Sequence, residues 1–211
     1  MKHLKKILCL ILALCTCVGI FASCSDEDDR CVYYDTRNTD GRNISYAKIT
    51  VKDFGDIVVL LDATTAPVTV ANFKKLVSEG FYNGLTFHRI MKDFMIQGGD
   101  PKGNGSGGSE VEIKGEFSEN GHKNDISHLR GVISMARSDD MDSASSQFFI
   151  CNADSTFLDG KYAAFGYVVK GLSVVDEITE ECVKYTENEV IKIKGLQPVI
   201  ESIVLLDSFE P

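Results

Sequence analysis

The chain has 211 residues, 22 of them basic and 31 acidic, for a formal net charge of −9. At 44% hydrophobic and 25% charged, it is neither disordered nor fibrous, and its length suits one domain or one domain with a tail. The acidic balance contains no basic stripe, which argues against a nucleic-acid partner, and four prolines without a repeat period exclude collagen-like and solenoid architectures.

The chain opens with Lys2, Lys5 and Lys6, followed by an apolar run from Ile7 to Ala22. A basic start, a short apolar stretch and small residues at its end read as a secretory signal over residues 1–23. The run is short for a membrane span, which usually takes about 20 apolar residues. Phe21-Ala22-Ser23-Cys24 resembles a bacterial lipoprotein processing site, although Phe21 stands where Leu is usual. That resemblance implies that Cys24 is lipidated and becomes the mature N-terminus, and more than one acyl chain gives stable anchoring. The acidic Ser25-Asp26-Glu27-Asp28-Asp29 resembles a surface-export tag of lipoproteins from some Gram-negative anaerobes, and reads equally as a solvated linker. Residues 24–45 are polar, without apolar periodicity, and are expected to be a tether. Of the remaining cysteines, Cys31 falls in the tether and Cys151 reads as a small core hydrophobe.

From Tyr46 the pattern is that of a folded domain, expected over residues 46–211. Ala47, Ile49 and Val51 alternate with polar residues, and Ile57 to Leu61 is an apolar run. The turn residues Lys52 to Asp56 lie between them, so a β-hairpin is predicted. Pro67 fits the first turn of a helix whose apolar face is Val70, Phe73, Leu76 and Val77, with Gly80 as a C-terminal cap. Short apolar runs then recur between glycine-rich turns, at Phe94–Ile96, Val132–Met135, Phe148–Ile150 and Ala164–Val168. A second helix is predicted around Val174, Val175 and Ile178, and a last strand around Ile200, Ile203, Val204 and Leu206. Many short strands with two helices predict a mainly β fold, an antiparallel barrel plugged by helices.

Three stretches carry the chemistry. One is Gly80-Phe81-Tyr82-Asn83-Gly84-Leu85-Thr86-Phe87-His88-Arg89-Ile90, followed by Phe94-Met95-Ile96-Gln97-Gly98-Gly99-Asp100-Pro101 and a glycine-rich loop. The others are Gly131 to Ala136 and Ser145 to Gly166, which includes Gln147-Phe148-Phe149-Ile150 and Phe157-Leu158-Asp159-Gly160-Lys161. In this order they closely resemble the cyclophilin family of peptidyl-prolyl cis-trans isomerases, over roughly residues 46–207. The resemblance implies a closed eight-stranded antiparallel barrel with two capping helices and an activity without cofactor or metal. It also implies proline-containing polypeptides as substrates. With the signal, it implies a monomeric, exported enzyme, lipid-anchored to a bacterial cell envelope and facing the periplasm or the cell surface.

The task needs no bond cleavage. Resonance raises a barrier of about 18–20 kcal/mol to rotation about the X-Pro bond. A catalyst must hold the ring and favour the twisted amide, whose nitrogen carries a real lone pair. A fixed donor aimed at that nitrogen binds the twisted state better than the planar one. The resemblance makes Arg89 that donor and Phe94, Met95, Phe149 and Leu158 the apolar slot for the ring. Gln97 would hold substrate backbone and Arg89, while Ala136 and Gln147 would line the groove for the residues before proline. Phe157 and Tyr162 would complete the wall. Phe157 stands where the best-known eukaryotic members carry a tryptophan that donates a hydrogen bond to cyclosporin, so weak cyclosporin affinity is expected. Tyr162 stands where a histidine is common.

Gly103-Asn104-Gly105-Ser106-Gly107-Gly108 formally matches a dinucleotide fingerprint, but Pro101 precedes it and no helical period follows. The spacing of His88, His122 and His128 matches no zinc motif, so no metal is expected. The rival to an isomerase is a non-catalytic module or chaperone that uses the same groove only to hold proline-containing segments.

Overall fold

The computed structural model describes residues 41–209. The predicted signal peptide, the lipidation site Cys24, the acidic patch, Cys31 and the tether up to residue 40 lie outside the described residues.

Eight strands form one antiparallel sheet: β1 (Ile44–Val51), β2 (Gly55–Asp62), β3 (Phe87–Met91), β4 (Met95–Gly98), β5 (Val132–Met135), β6 (Phe148–Cys151), β7 (Ala164–Lys170) and β8 (Ile200–Leu206). Helix α1 (Pro67–Ser78) follows β2, and α2 (Leu172–Cys182) follows β7. The hairpin predicted from alternation is β1–β2. Ala47, Ile49 and Val51 point inward, and Asp53, with φ of 67°, makes the turn. Both predicted helices are present, and Val70, Phe73, Leu76 and Val77 are the buried face of α1. Gly80 follows the helix with φ of 68°, the left-handed stop that glycine allows.

The N-terminus of α1 is capped from a distance. Ala66, at the cap position, has no side chain that can accept a hydrogen bond. Glu116 supplies the acceptors from a loop 48 residues on. Its Oε1 accepts from the Val68 amide at 3.0 Å and its Oε2 from the Thr69 amide at 2.7 Å. The carboxylate satisfies two otherwise orphaned donors at the positive end of the helix dipole.

The core sits between the sheet and the two helices. At its centre Phe73 packs against Tyr82, Phe148 and Phe165, with ring centroids 5.2, 5.7 and 5.3 Å away. All four rings are fully buried, each contributing about 1.5–3 kcal/mol by leaving water. The Tyr82 hydroxyl donates to the Ser146 carbonyl at 3.1 Å, so its burial leaves no orphaned polar atom.

The expected closed barrel is corrected to a curled half-barrel. Strand order is β3-β4-β6-β5-β7-β2-β1-β8, so β3 and β8 are edges of an open sheet. These edges meet through a single bridge, Thr86 to Val199. The Phe87 amide donates to the Pro198 carbonyl at 2.9 Å and the Ile200 amide to the Leu85 carbonyl at 2.8 Å. Pro198 has no N–H and cannot extend that pairing. Beyond Ile200 the chain pairs with β1 instead.

Candidate active site

Strands β3, β4 and β6 are adjacent, and their register builds the site. Arg89 lies opposite Gln97, and Gln97 opposite Phe149. Three side chains from three strands therefore stand in one row across the sheet. Arg89 Nη1 donates to Gln97 Oε1 at 3.2 Å. Gln97 Nε2 donates to Gln147 Oε1 at 2.8 Å. Gln147 Nε2 in turn donates to the carbonyls of Gly107 and Gly105, at 2.6 and 3.1 Å. Each amide is thereby fixed in orientation by its neighbours.

Beside this polar row lies a separate apolar cluster. Met95, Phe149, Cys151 and Leu158 are buried, with Met91, Phe94, Ala136 and Tyr162 packed partly exposed around them. Phe157 is 62% exposed and leans on Phe94, with ring centroids 5.3 Å apart. Tyr162 meets Phe149 edge-on at 6.0 Å. The structure thus brings together every site residue expected from the sequence within the described residues: Arg89, Phe94, Met95, Gln97, Ala136, Gln147, Phe149, Phe157, Leu158 and Tyr162. Phe149 belongs to both the row and the apolar cluster, and Met91 joins them again, its sulfur 3.2 Å from Arg89 Nη2.

Next to the cluster a cavity of about 390 Å³ is lined by Gln97, Ala136, Arg137, Ser145, Gln147 and the glycine loop. Asp100 shapes that loop. Its Oδ1 accepts from the Lys102 amide at 2.8 Å, and its Oδ2 from the Asn104 and Gly105 amides at 3.0 and 2.6 Å. Burial pushes the Asp100 carboxyl up, but the backbone N–H groups of Lys102, Asn104, Gly105 and Gly107 outweigh it and hold it below the usual carboxylate value. A Cβ on Gly107 would sit 2.0 Å from Asp100 Oδ1, so only glycine fits there. Within the loop that formally matches a dinucleotide fingerprint, the Asn104 and Gly105 amides are turned onto this carboxylate.

Four further residues act on the site without a sequence signal that named them. Glu189 binds Arg89, with Oε2 accepting from Nε at 3.1 Å and Nη2 at 2.6 Å. Met91 shares a face of β3 with Arg89, two residues before it. Arg137 lies over the Tyr162 ring, 4.8 Å from its centroid. His128 stacks on Phe149 at 6.0 Å and 17°. Asp159 Oδ1 lies 2.9 Å from His128 Nδ1 and fixes the Nδ1–H tautomer, so Nε2 accepts from the Ser134 hydroxyl at 3.0 Å. Burial, the largest influence, holds the His128 imidazole pKa below its usual value, against the pull of Asp159.

The site is thus a row of hydrogen-bonded polar side chains running along an apolar patch. The comparisons with known proteins place this arrangement in a family. A profile described as cyclophilin type peptidyl-prolyl cis-trans isomerase/CLD matches residues 46–197. A peptidyl-prolyl cis-trans isomerase of Helicobacter pylori strain J99 is 42% identical over 149 residues, 70% of this chain and 88% of its own length. Peptidyl-prolyl cis-trans isomerase A of Dickeya dadantii is 47% identical over 135 residues, 60% of this chain and 67% of its own. A solved Cryptosporidium parvum cyclophilin superposes with a TM-score of 0.69 at 27% identity, covering 79% of this chain and 99% of the other. The chain belongs to the cyclophilin-type peptidyl-prolyl cis-trans isomerase family.

Proposed function

We propose that this protein isomerises X-Pro bonds with Arg89 as the donor to the twisted amide nitrogen and the Met95–Phe149–Leu158 patch as the seat of the proline ring. The observation that carries this assignment is one contact: the Arg89 guanidinium, tied to Gln97, touches Met91 at the edge of that patch. A permanently charged donor thus stands beside an apolar surface. The guanidinium is already oriented by its acceptors, so little reorganisation is required when the amide twists. Gln97 and Gln147 present amide groups to the substrate backbone, and the cavity beside Ala136 receives the residues that precede proline. A related Cryptosporidium parvum cyclophilin, 28% identical with a TM-score of 0.67, was solved in the presence of the dipeptide Ala-Pro, in keeping with this use of the site.

The test is a protease-coupled assay on an Ala-Pro peptide. The protein should accelerate isomerisation well beyond the spontaneous rate, and Arg89→Ala should cut kcat/KM about 100-fold while circular dichroism stays unchanged. A wild type that binds the peptide without accelerating isomerisation would establish the holding module instead.

The same reading places the enzyme outside the cytoplasm, assisting the folding of exported proteins. The basic start, the apolar run and the Ala22-Ser23-Cys24 sequence support a lipid-anchored form. Cys24→Ala should move the protein out of the detergent phase on phase separation, and unchanged partitioning would remove the anchor from the account.

A further inference from the structure

Glu189 sits in a backbone conformation that its side chain does not favour. Glu187 to Val190 form a two-residue turn, closed by the Glu187 amide on the Val190 carbonyl at 2.8 Å and the Val190 amide on the Glu187 carbonyl at 3.2 Å. Its two central residues, Asn188 and Glu189, have φ of 49° and 70°. Asparagine tolerates the left-handed region, and glycine is the favoured second residue of such a turn. A glutamate there is an outlier that asks for a reason.

The turn is fastened to β3 next to Arg89. The Ile90 amide donates to the Glu189 carbonyl at 3.0 Å and the Ile191 amide to the His88 carbonyl at 2.9 Å, with Arg89 and Val190 bridged between them. This delivers the Glu189 carboxylate to one edge of the Arg89 guanidinium, where it takes Nε and Nη2. Gln97 takes Nη1 from the other side, and the Met91 sulfur covers the remaining Nη2 direction. Of the five guanidinium N–H groups, the second on Nη1 is left for substrate. Gln97 alone would hold one corner of a side chain that has several rotatable bonds. Two acceptors on opposite edges fix its plane.

We propose that Glu189 is a positioning residue for the isomerase reaction, holding the Arg89 guanidinium so that its Nη1 edge faces the substrate amide. This rests on the isomerase reading above. The carboxylate touches Arg89, and its effect on the reaction passes through that side chain. The strained turn is maintained because glycine, the residue that would relax it, has no carboxylate to offer.

The experiment measures kcat, KM and Tm for the full-length protein and for Glu189→Gly, Glu189→Ala and Glu189→Gln on an Ala-Pro peptide, with Arg89→Ala alongside. Glu189→Gly should raise Tm by about 1–3 °C, because it relieves the left-handed strain. The same substitution should lower kcat/KM roughly tenfold, chiefly through kcat, because the donor is misplaced. Glu189→Gln keeps an acceptor and should fall between wild type and Glu189→Ala. A merely structural residue would not separate stability from activity in this way. Unchanged or higher kcat/KM in Glu189→Gly would overturn the proposal, as would activity losses that follow a fall in Tm across the series. A wild type no faster than spontaneous isomerisation would instead sink the isomerase reading, and the positioning role with it.

Discussion

Two imidazoles near the site are buried, and burial disfavours their charged form. His88 is fully buried, and burial, more than any neighbour, pushes its pKa below the usual imidazole value, against the pull of Asp100. His128 is held low in the same way, although Asp159 pulls against burial. For a group whose folded pKa is depressed and which binds a proton to become charged, the unfolded chain takes up protons first. Stability therefore falls as pH drops through about 6.5, by at most ~1.4 kcal/mol per pH unit for each imidazole. The depressed carboxylates Asp100 and Asp159 act in the same direction in a lower window: their contribution is present above 3.8 and is lost as pH falls below it. Tm should therefore decline between about pH 7 and pH 5. A Tm that stays level across that window would show that neither imidazole is held neutral by the fold.

The elements most dependent on distant parts of the chain are where stability can be tested. Helix α1 starts at Pro67 without a local cap, and Glu116 closes its end from another loop. Glu116→Ala leaves the Val68 amide and the buried Thr69 amide without acceptors and should cost about 2 kcal/mol in denaturant unfolding. A change within about 0.5 kcal/mol, the size of an ordinary surface substitution, would mean that water replaces the carboxylate. The same dependence on distance explains what could be read from the sequence. The β1–β2 hairpin and α1 were legible because Ala47, Ile49 and Val51 alternate and because Val70, Phe73 and Leu76 recur at helical spacing. β3 was not legible as a strand: His88 is buried beside Phe87, so its polar and apolar residues do not alternate with burial. Barrel closure was misjudged because it turns on Pro198 meeting Phe87, a contact between segments more than 100 residues apart.

On the scale of the whole molecule, the half-barrel's role is to bring distant residues into one row. Arg89, Gln97, Gln147 and Phe149 were legible together because each sits in a motif of the family. The row of Arg89, Gln97 and Phe149 comes from the β3-β4-β6 register, which no local pattern states, and Gln147 joins it by a hydrogen bond to Gln97. Glu189 was not legible, since it lies 100 residues from Arg89 and outside the motifs that carry the family resemblance. The central claim is that this row lowers the barrier to rotation and does more than hold proline peptides. The most direct measurement is exchange spectroscopy by NMR on an Ala-Pro peptide saturating the protein and its Arg89→Ala variant, with peptide affinity determined in the same samples. The account predicts cis–trans exchange on the bound peptide that slows about 100-fold in the variant, while the dissociation constant changes far less. Bound-state exchange that persists without the guanidinium, or a loss explained wholly by weaker binding, would contradict it.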